Sequence, residues 1–198
     1  MSLEKDVNYI VSGLERSGTS MLMQIIKSGG LPIGFDKKRP ADDSNPKGYY
    51  ELEGGKIINK LMDGSFSLYD YKGKFIKITT FGIKYLPPGK YKIIYSERNI
   101  EEILDSMEKM MGKKDENREI TKEAFIKLNS MIKKQLIERE DVEVLFVNYN
   151  QIITNPKENI RKIVKFLDLE DEILEKMIDA VDQKLYRQRK AEIRINEN

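Results

Sequence analysis

The sequence predicts a doubly wound α/β domain with a mainly parallel sheet flanked by helices, and three observations predict it. Four short apolar runs rich in β-branched and aromatic residues, Asn8–Ser12, Phe75–Thr79, Tyr91–Ser96 and Glu143–Asn148, are nearly continuous, as strands covered on both faces are. Residues 20–27, 100–111, 122–138, 156–167 and 171–181 carry apolar side chains at three- and four-residue spacing, the period of a helix buried along one stripe. The first run passes through Gly13-Leu14-Glu15-Arg16-Ser17-Gly18-Thr19-Ser20 directly into the first helical pattern. Strands that alternate with helices pair in parallel, and ligands then sit at the carboxyl ends of the strands.

Taken in order, the first strand leads into a turn bounded by Gly13 and Gly18, and the helix behind it begins at Ser20. Such a strand, turn and helix start form a phosphate cradle, because backbone N–H groups and the positive helix end point at one anion. Residues 29–55, with Gly-Gly, Leu-Pro and Asn-Pro-Lys-Gly, read as a long loop. Loops of that length are often functional, and Phe35, Tyr49 and Tyr50 make this one the expected wall of a ligand pocket. Lys77 interrupts the apolar second strand, so its charge must reach solvent, a partner or a ligand. The third strand ends beside Arg98, and Ser106 follows eight positions later inside the next helix. The fourth strand is followed by a turn and by Pro156 at a helix start. From Gln183 the chain loses its apolar period and turns basic through Lys184, Arg187, Arg189 and Lys190. Met21, Met23, Met107, Met110 and Met111 are expected to pack in the core.

Composition limits the chemistry. With 198 residues, 39% of them hydrophobic, the chain suits one domain over residues 1–198, ending in the basic tail 183–198. Thirty-five basic against thirty-three acidic residues give a net charge of +2, too small a field to imply nucleic acid or an acidic membrane. Having no cysteine, the chain can form no disulfide, thiolate nucleophile or cysteine-ligated metal site. Having no histidine, it lacks the commonest general base, which leaves carboxylates, lysine and tyrosine to move protons. No apolar run reaches the roughly 18 residues of a membrane span and the first six residues are no signal peptide, so a cytoplasmic protein is expected.

The turn departs from a Walker A loop at one position. A nucleotide-triphosphatase loop reads G-x-x-x-x-G-K-[ST], whereas this chain has Thr19 in place of the lysine and carries its basic residue inside the loop as Arg16. A kinase lacking that lysine is poorly equipped for phosphoryl transfer. The form Arg16-Ser17-Gly18-Thr19-Ser20 resembles the 5′-phosphosulfate loop of the sulfotransferases that use 3′-phosphoadenosine-5′-phosphosulfate (PAPS). Arg98 with Ser106 resembles the family's 3′-phosphate motif, in the expected strand-to-helix unit. Further resemblance lies in residues 147–156 and 160–169, similar to the family's V-x-Y-E-D-L-x-x-x-P segment and its helix ending in F-L-x-L, and in residues 45–51, similar to a segment of bacterial members.

The resemblance implies PAPS as donor, adenosine-3′,5′-bisphosphate (PAP) as product, no required metal, and a small-molecule or carbohydrate acceptor. It implies that Arg16, Ser17, Gly18, Thr19 and Ser20 hold the 5′-phosphosulfate and that Arg98 and Ser106 hold the 3′-phosphate. Lys77 matches the lysine of the cytosolic branch, but Ile78 or Thr79 occupies that branch's catalytic histidine position. Other branches use a glutamate, which suits a chain without histidine. Glu51 is the leading candidate base, Asp36 its rival, and Glu53, Asp42 and Asp43 remain. The family's basic C-terminal lid is absent, with Arg187, Arg189 and Lys190 as loose replacements. Two alternatives stand beside this reading. One is a P-loop kinase or NTPase, with Ser20 on a metal and Glu97 as acidic partner; the other is a non-catalytic nucleotide-binding module. Oligomeric state has no signal in the sequence.

Overall fold

Four parallel strands, in the order β2-β1-β3-β4, make the sheet of the computed structural model, which describes residues 3–182. They are β1 (Asn8–Gly13), β2 (Phe75–Lys77), β3 (Tyr91–Glu97) and β4 (Val142–Asn148). Around them lie α1 (Thr19–Ser28), α2 (Ile57–Met62), α3 (Thr80–Ile83), α4 (Ile100–Met111), α5 (Arg118–Glu138), α6 (Tyr149–Thr154), α7 (Pro156–Phe166) and α8 (Leu174–Asp179). The expected doubly wound architecture is the one observed.

Side-chain alternation divides each central strand between two cores. Tyr9, Val11 and Ile94 face a cluster with Leu22, Ile25 and Ile26 of α1, Ile160 and Ile163 of α7, and Met177 of α8. Ile10, Ile93 and Tyr95 face the opposite cluster, with Leu61 of α2, Ile83 of α3, and Ile132 and Leu136 of α5. From β1 the chain passes to β2 on one side, and from β3 to β4 on the other. The loops after β1 and β3 therefore diverge and open a crevice at the carboxyl ends of the strands. Register brings the two loops level, with Gly13 beside Ser96 and Val11 beside Lys77.

Several boundaries differ from the sequence expectation. The second strand ends at Lys77 rather than Thr79, because Thr79 already caps α3. The fourth strand is an edge strand, so Val142 to Phe146 are partly exposed and not covered on both faces. Helix α5 starts at Arg118, ahead of the expected residue 122, where Arg118 binds Glu101 and Asp105 of α4 at 2.8 and 2.6 Å. Residues 171–181 form a 3-10 turn followed by α8. Helices α2, α3 and α6 span four to six residues, too short to show a period; tertiary packing makes them. At Gly82 of α3 a Cβ would lie 2.6 Å from the Ile78 side chain and 3.3 Å from Ile58 of α2. No helix among the described residues is long and apolar enough to cross a membrane. The basic residues Lys184, Arg187, Arg189 and Lys190 lie outside the described residues.

A polar bridge inside the second core fixes α3, the element directly after Lys77. The buried Tyr95 hydroxyl pairs with Thr80 Oγ1 at 2.8 Å and donates to Asn129 Oδ1 of α5 at 2.7 Å. Tyr95→Phe is expected to lower stability by about 1–2 kcal/mol, since it leaves the Asn129 acceptor without this donor. Denaturant titration of the two proteins measures the difference.

Candidate functional site

Two glycines impose the shape of the turn. Gly13 has φ +146°, and a Cβ there would lie 2.6 Å from the Ser96 carbonyl of β3. Gly18 has φ +102°, and a Cβ would lie 2.2 Å from the Tyr149 ring. Between them Arg16 is left-handed at φ 65°, a strain on the order of 1 kcal/mol for a side-chain-bearing residue. Neighbouring elements hold it there: Arg98 Nη1 donates to the Arg16 carbonyl at 3.0 Å, and Ser96 Oγ donates to the Ser17 carbonyl at 2.7 Å. Helix α1 then starts from Gly18 with no side-chain cap. The N–H groups of a first helical turn have no intrahelical partner, and Gly18, Thr19 and Ser20 line a cleft of about 400 Å³.

The structure brings most of the expected binding residues to this cleft. Arg16 Nε donates to Ser106 Oγ at 3.0 Å and Nη2 to the Ser44 carbonyl at 3.2 Å. Arg98 and Ser106 thus meet at Arg16, one through its carbonyl and the other through its guanidinium. Ser17 is the exception: its N–H donates to the Leu14 carbonyl at 3.1 Å and its side chain is fully buried beneath the turn, so it does not line the cleft.

Opposite the turn stands a charged pair. Lys77 Nζ lies 2.9 Å from Glu51 Oε1, with side-chain exposures of 4% and 13%. Lys77 also donates to the Tyr49 carbonyl at 2.5 Å and to Ser20 Oγ at 3.3 Å. Burial pushes the Lys77 ammonium below the usual lysine range, and the Glu51 carboxylate partly counters it. Glu51 is further held by Arg39 at 3.0 Å. The Arg39 guanidinium lies 3.5 Å from the centre of the Tyr49 ring, and the Tyr49 hydroxyl donates to both Asp42 oxygens at 2.8 and 2.9 Å. Arg16, Ser20 and Lys77 each donate to a backbone carbonyl of one loop, at Ser44 or Tyr49.

Other expected residues lie elsewhere. Asp36 is outside the cleft lining, its oxygens accepting from the N–H groups of Lys38 at 2.9 Å and Glu53 at 2.6 Å. Glu53 pairs with Lys38 and Lys60 at 2.8 and 3.0 Å. Asp43 lines the cleft, whereas Asp42 is engaged by Tyr49. Of the three loop aromatics only Tyr49 lines it; Phe35 and Tyr50 pack edge-on to each other under Lys27. Ile78 is fully buried in the core, so Thr79 is the residue after Lys77 that faces the cleft. Met110 lines the cleft and Met111 is 56% exposed, so the expectation of core packing fails for these two, while Met21 packs against the first core and also lines the cleft. Glu97 pairs with Lys133. Sequence reasoning passed over Arg39 and Glu102, in a loop and on a helix with no local pattern to mark them, and took Tyr149 as part of the V-x-Y segment without giving it a place at the cleft.

Removing Glu51 leaves the buried Lys77 ammonium with weaker compensation. Glu51→Ala is expected to destabilise the protein by about 3 kcal/mol near neutral pH, and Lys77→Met added to it should restore most of that loss. In Glu51→Ala the folded lysine sheds its proton below the ordinary value of 10.5, so the unfolded state binds more protons. Stability of the variant relative to wild type should therefore rise as pH climbs toward 10.5, which urea titrations across pH measure.

The chain matches the model of the sulfotransferase domain over residues 6–197. Solved structures share the fold at low identity. Sulfotransferase STF1 from Mycobacterium tuberculosis H37Rv aligns with TM-score 0.59 and 16% identity over 88% of this chain and 71% of that one. The sulfotransferase domain of the Synechococcus PCC 7002 olefin synthase aligns at 0.55 and 12% over 97% and 93%. Mouse sulfotransferase SULT7A1 complexed with PAP aligns at 0.51 and 15% over 97% and 69%. Comparison with curated proteins brings no match. The family model spans nearly the whole chain, including the turn at the end of β1 and the loops that meet it, and the chain belongs to the sulfotransferase-domain family.

Proposed function

We propose that this protein moves a sulfuryl group from PAPS to a hydroxyl or amine of a small-molecule or carbohydrate acceptor, with Glu51 as general base. One observation carries the reading: Arg16, Arg98 and Ser106 converge on one side of the cleft, and the Lys77–Glu51 pair faces the same turn. Two anion-holding groups on separate elements suit a donor with phosphate at both its 5′ and 3′ positions. The residues present fit such a donor: an uncapped helix start, Arg16 and Arg98, the buried Lys77 and the hydroxyls of Thr19, Ser20 and Ser106 line the cleft. The mouse neighbour's complex with PAP supports the same donor.

In this reading the first turn of α1, with Arg16, Thr19 and Ser20, holds the 5′ end, and Arg98 with Ser106 holds the 3′-phosphate. PAPS supplies the sulfuryl group and a phosphate leaving group. Lys77 is placed to hold negative charge near Ser20, where a fixed cation in a desolvated cleft is worth most. An anion entering here takes the hydrogen bonds that the Ser44 and Tyr49 carbonyls now receive. Glu51 receives the acceptor's proton; a carboxylate can accept about four hydrogen bonds, more than Lys77 and Arg39 take. We favour Glu51 over Asp36 because Asp36 spends its oxygens on backbone N–H groups outside the cleft. A cleft of about 400 Å³ is of the size that takes small molecules.

Transfer from radiolabelled PAPS across a panel of phenols, alcohols, amines and sugars tests the reading. Wild type should label at least one acceptor class, and Glu51→Gln should lose on the order of 10²–10⁴-fold in turnover while still binding PAP. Asp36→Asn, outside the cleft lining, should retain wild-type turnover within about twofold. Undiminished turnover in Glu51→Gln would remove Glu51 from the mechanism.

A further inference from the structure

We propose that Glu102 is a positioning residue that sets this protein's preference for a 3′-phosphate, acting through Arg98. The proposal rests on the reading of Arg98 as the group that holds that phosphate. Arg98 and Glu102 form an ion pair with side-chain exposures of only 6% and 3%, Arg98 Nε lying 3.0 Å from Glu102 Oε2. From α6, Asn150 Nδ2 donates to both oxygens of the same carboxylate at 3.1 and 3.3 Å. The Tyr149 ring lies 4.4 Å from the guanidinium carbon, and Arg98 Nη1 donates to the Arg16 carbonyl at 3.0 Å. The guanidinium is held by one edge on Glu102, one face on Tyr149 and one tip on the phosphate-binding turn.

The start of α4 fixes where Glu102 stands. Asn99 caps the helix, its Oδ1 accepting from the N–H groups of Glu101 at 2.9 Å and Glu102 at 3.4 Å. Glu102 thus stands in the first turn of α4, four residues past Arg98, which precedes the cap, and meets its guanidinium there. A carboxylate near an anion site opposes the anion by its charge, and burying it is costly unless it is paired. Its benefit is therefore geometric: a planar guanidinium recognises phosphate through a directional fork, and a fork turned away from the phosphate loses that recognition. Loss of Glu102 has two consequences of opposite sign. The removed negative charge favours every anion in the cleft, whereas the released guanidinium disfavours most the ligand that carries the 3′-phosphate, which it would hold directly.

Calorimetric titration with PAP and with 5′-AMP, which lacks the 3′-phosphate, separates the two. It is to be run on wild type, Glu102→Gln and Glu102→Ala, each with and without Arg98→Ala, with thermal melting in parallel. Wild type should prefer PAP, and the preference should fall about tenfold in Glu102→Ala, equivalent to about 1.4 kcal/mol, and by a smaller factor in Glu102→Gln. Affinity for 5′-AMP should stay within about twofold or improve, and in the Arg98→Ala background the Glu102 substitutions should change the preference no further. Where Glu102→Ala does not fold, Glu102→Gln decides alone. Variants that melt earlier yet keep the wild-type preference, or that lose both ligands equally, would overturn the proposal. A wild type that binds PAP no better than 5′-AMP would overturn the reading of Arg98 itself.

Discussion

The close approach of β3 and Tyr149 to the turn after β1 is the constraint on which the rest of the site depends. Ser96 leaves no room for a Cβ at Gly13, and the Tyr149 ring leaves none at Gly18. The chain must turn between two fixed walls, and helix α1 must begin where the second releases it. Its first-turn N–H groups and the positive end of its dipole are thereby directed into the cleft. The left-handed Arg16 costs conformational energy, and the hydrogen bonds from Arg98 and Ser96 to this turn offset it. The strand that supplies the first wall, β3, leads directly into Arg98, whose Nη1 donates to the carbonyl of Arg16 in the turn.

Loop 39–51 is ordered without regular secondary structure, and charge does most of the ordering. Holding each residue of such a segment costs roughly 1–2 kcal/mol of backbone entropy. Lys77 answers it from below, where its Nζ meets the Tyr49 carbonyl and the Glu51 carboxylate. Arg39 closes the loop on itself, over the Tyr49 ring and against Glu51. A lysine at the end of an apolar strand is tolerated because the loop supplies it with a carbonyl and a carboxylate and α1 with a hydroxyl. The candidate base and the donors assigned to the nucleotide belong to a single network, so a ligand that draws on Arg16, Ser20 or Lys77 also acts on the setting of Glu51.

Long periodic elements were legible in the sequence, and those specified by tertiary contact were not. The four strands, α1, α4, α7 and the body of α5 carry their burial pattern in their own residues. Helices α2, α3 and α6 do not, because four to six residues hold too few turns for a period; α2 and α3 form where packing at Gly82 and the Tyr95–Thr80 bond require them, and α6 where Asn148 caps it and Tyr149 packs against Gly18. The turn after β1 was readable because glycines mark it. Lys77 was readable because a charge in an apolar strand must have a partner. Arg39 and Glu102 were not readable, since a loop arginine and a helix glutamate are each ordinary, and Tyr149 was visible only as part of a segment match; their convergence with the cleft residues is what gives them a role. The aromatic loop shows the reverse error: Phe35 and Tyr50 suggested an acceptor wall, yet they pack against each other under Lys27.

The central claim is that this turn, with arginine inside the loop and threonine at the lysine position of a triphosphatase, serves a bisphosphate nucleotide rather than a triphosphate. Competition calorimetry on the wild-type protein tests it, with PAP titrated in the absence of magnesium and ATP titrated with it. The account predicts that PAP binds at least about tenfold more tightly, a difference of about 1.4 kcal/mol, and that ATP with magnesium fails to displace it. Tighter binding of ATP with magnesium would contradict the account and return the turn to the chemistry of phosphoryl transfer.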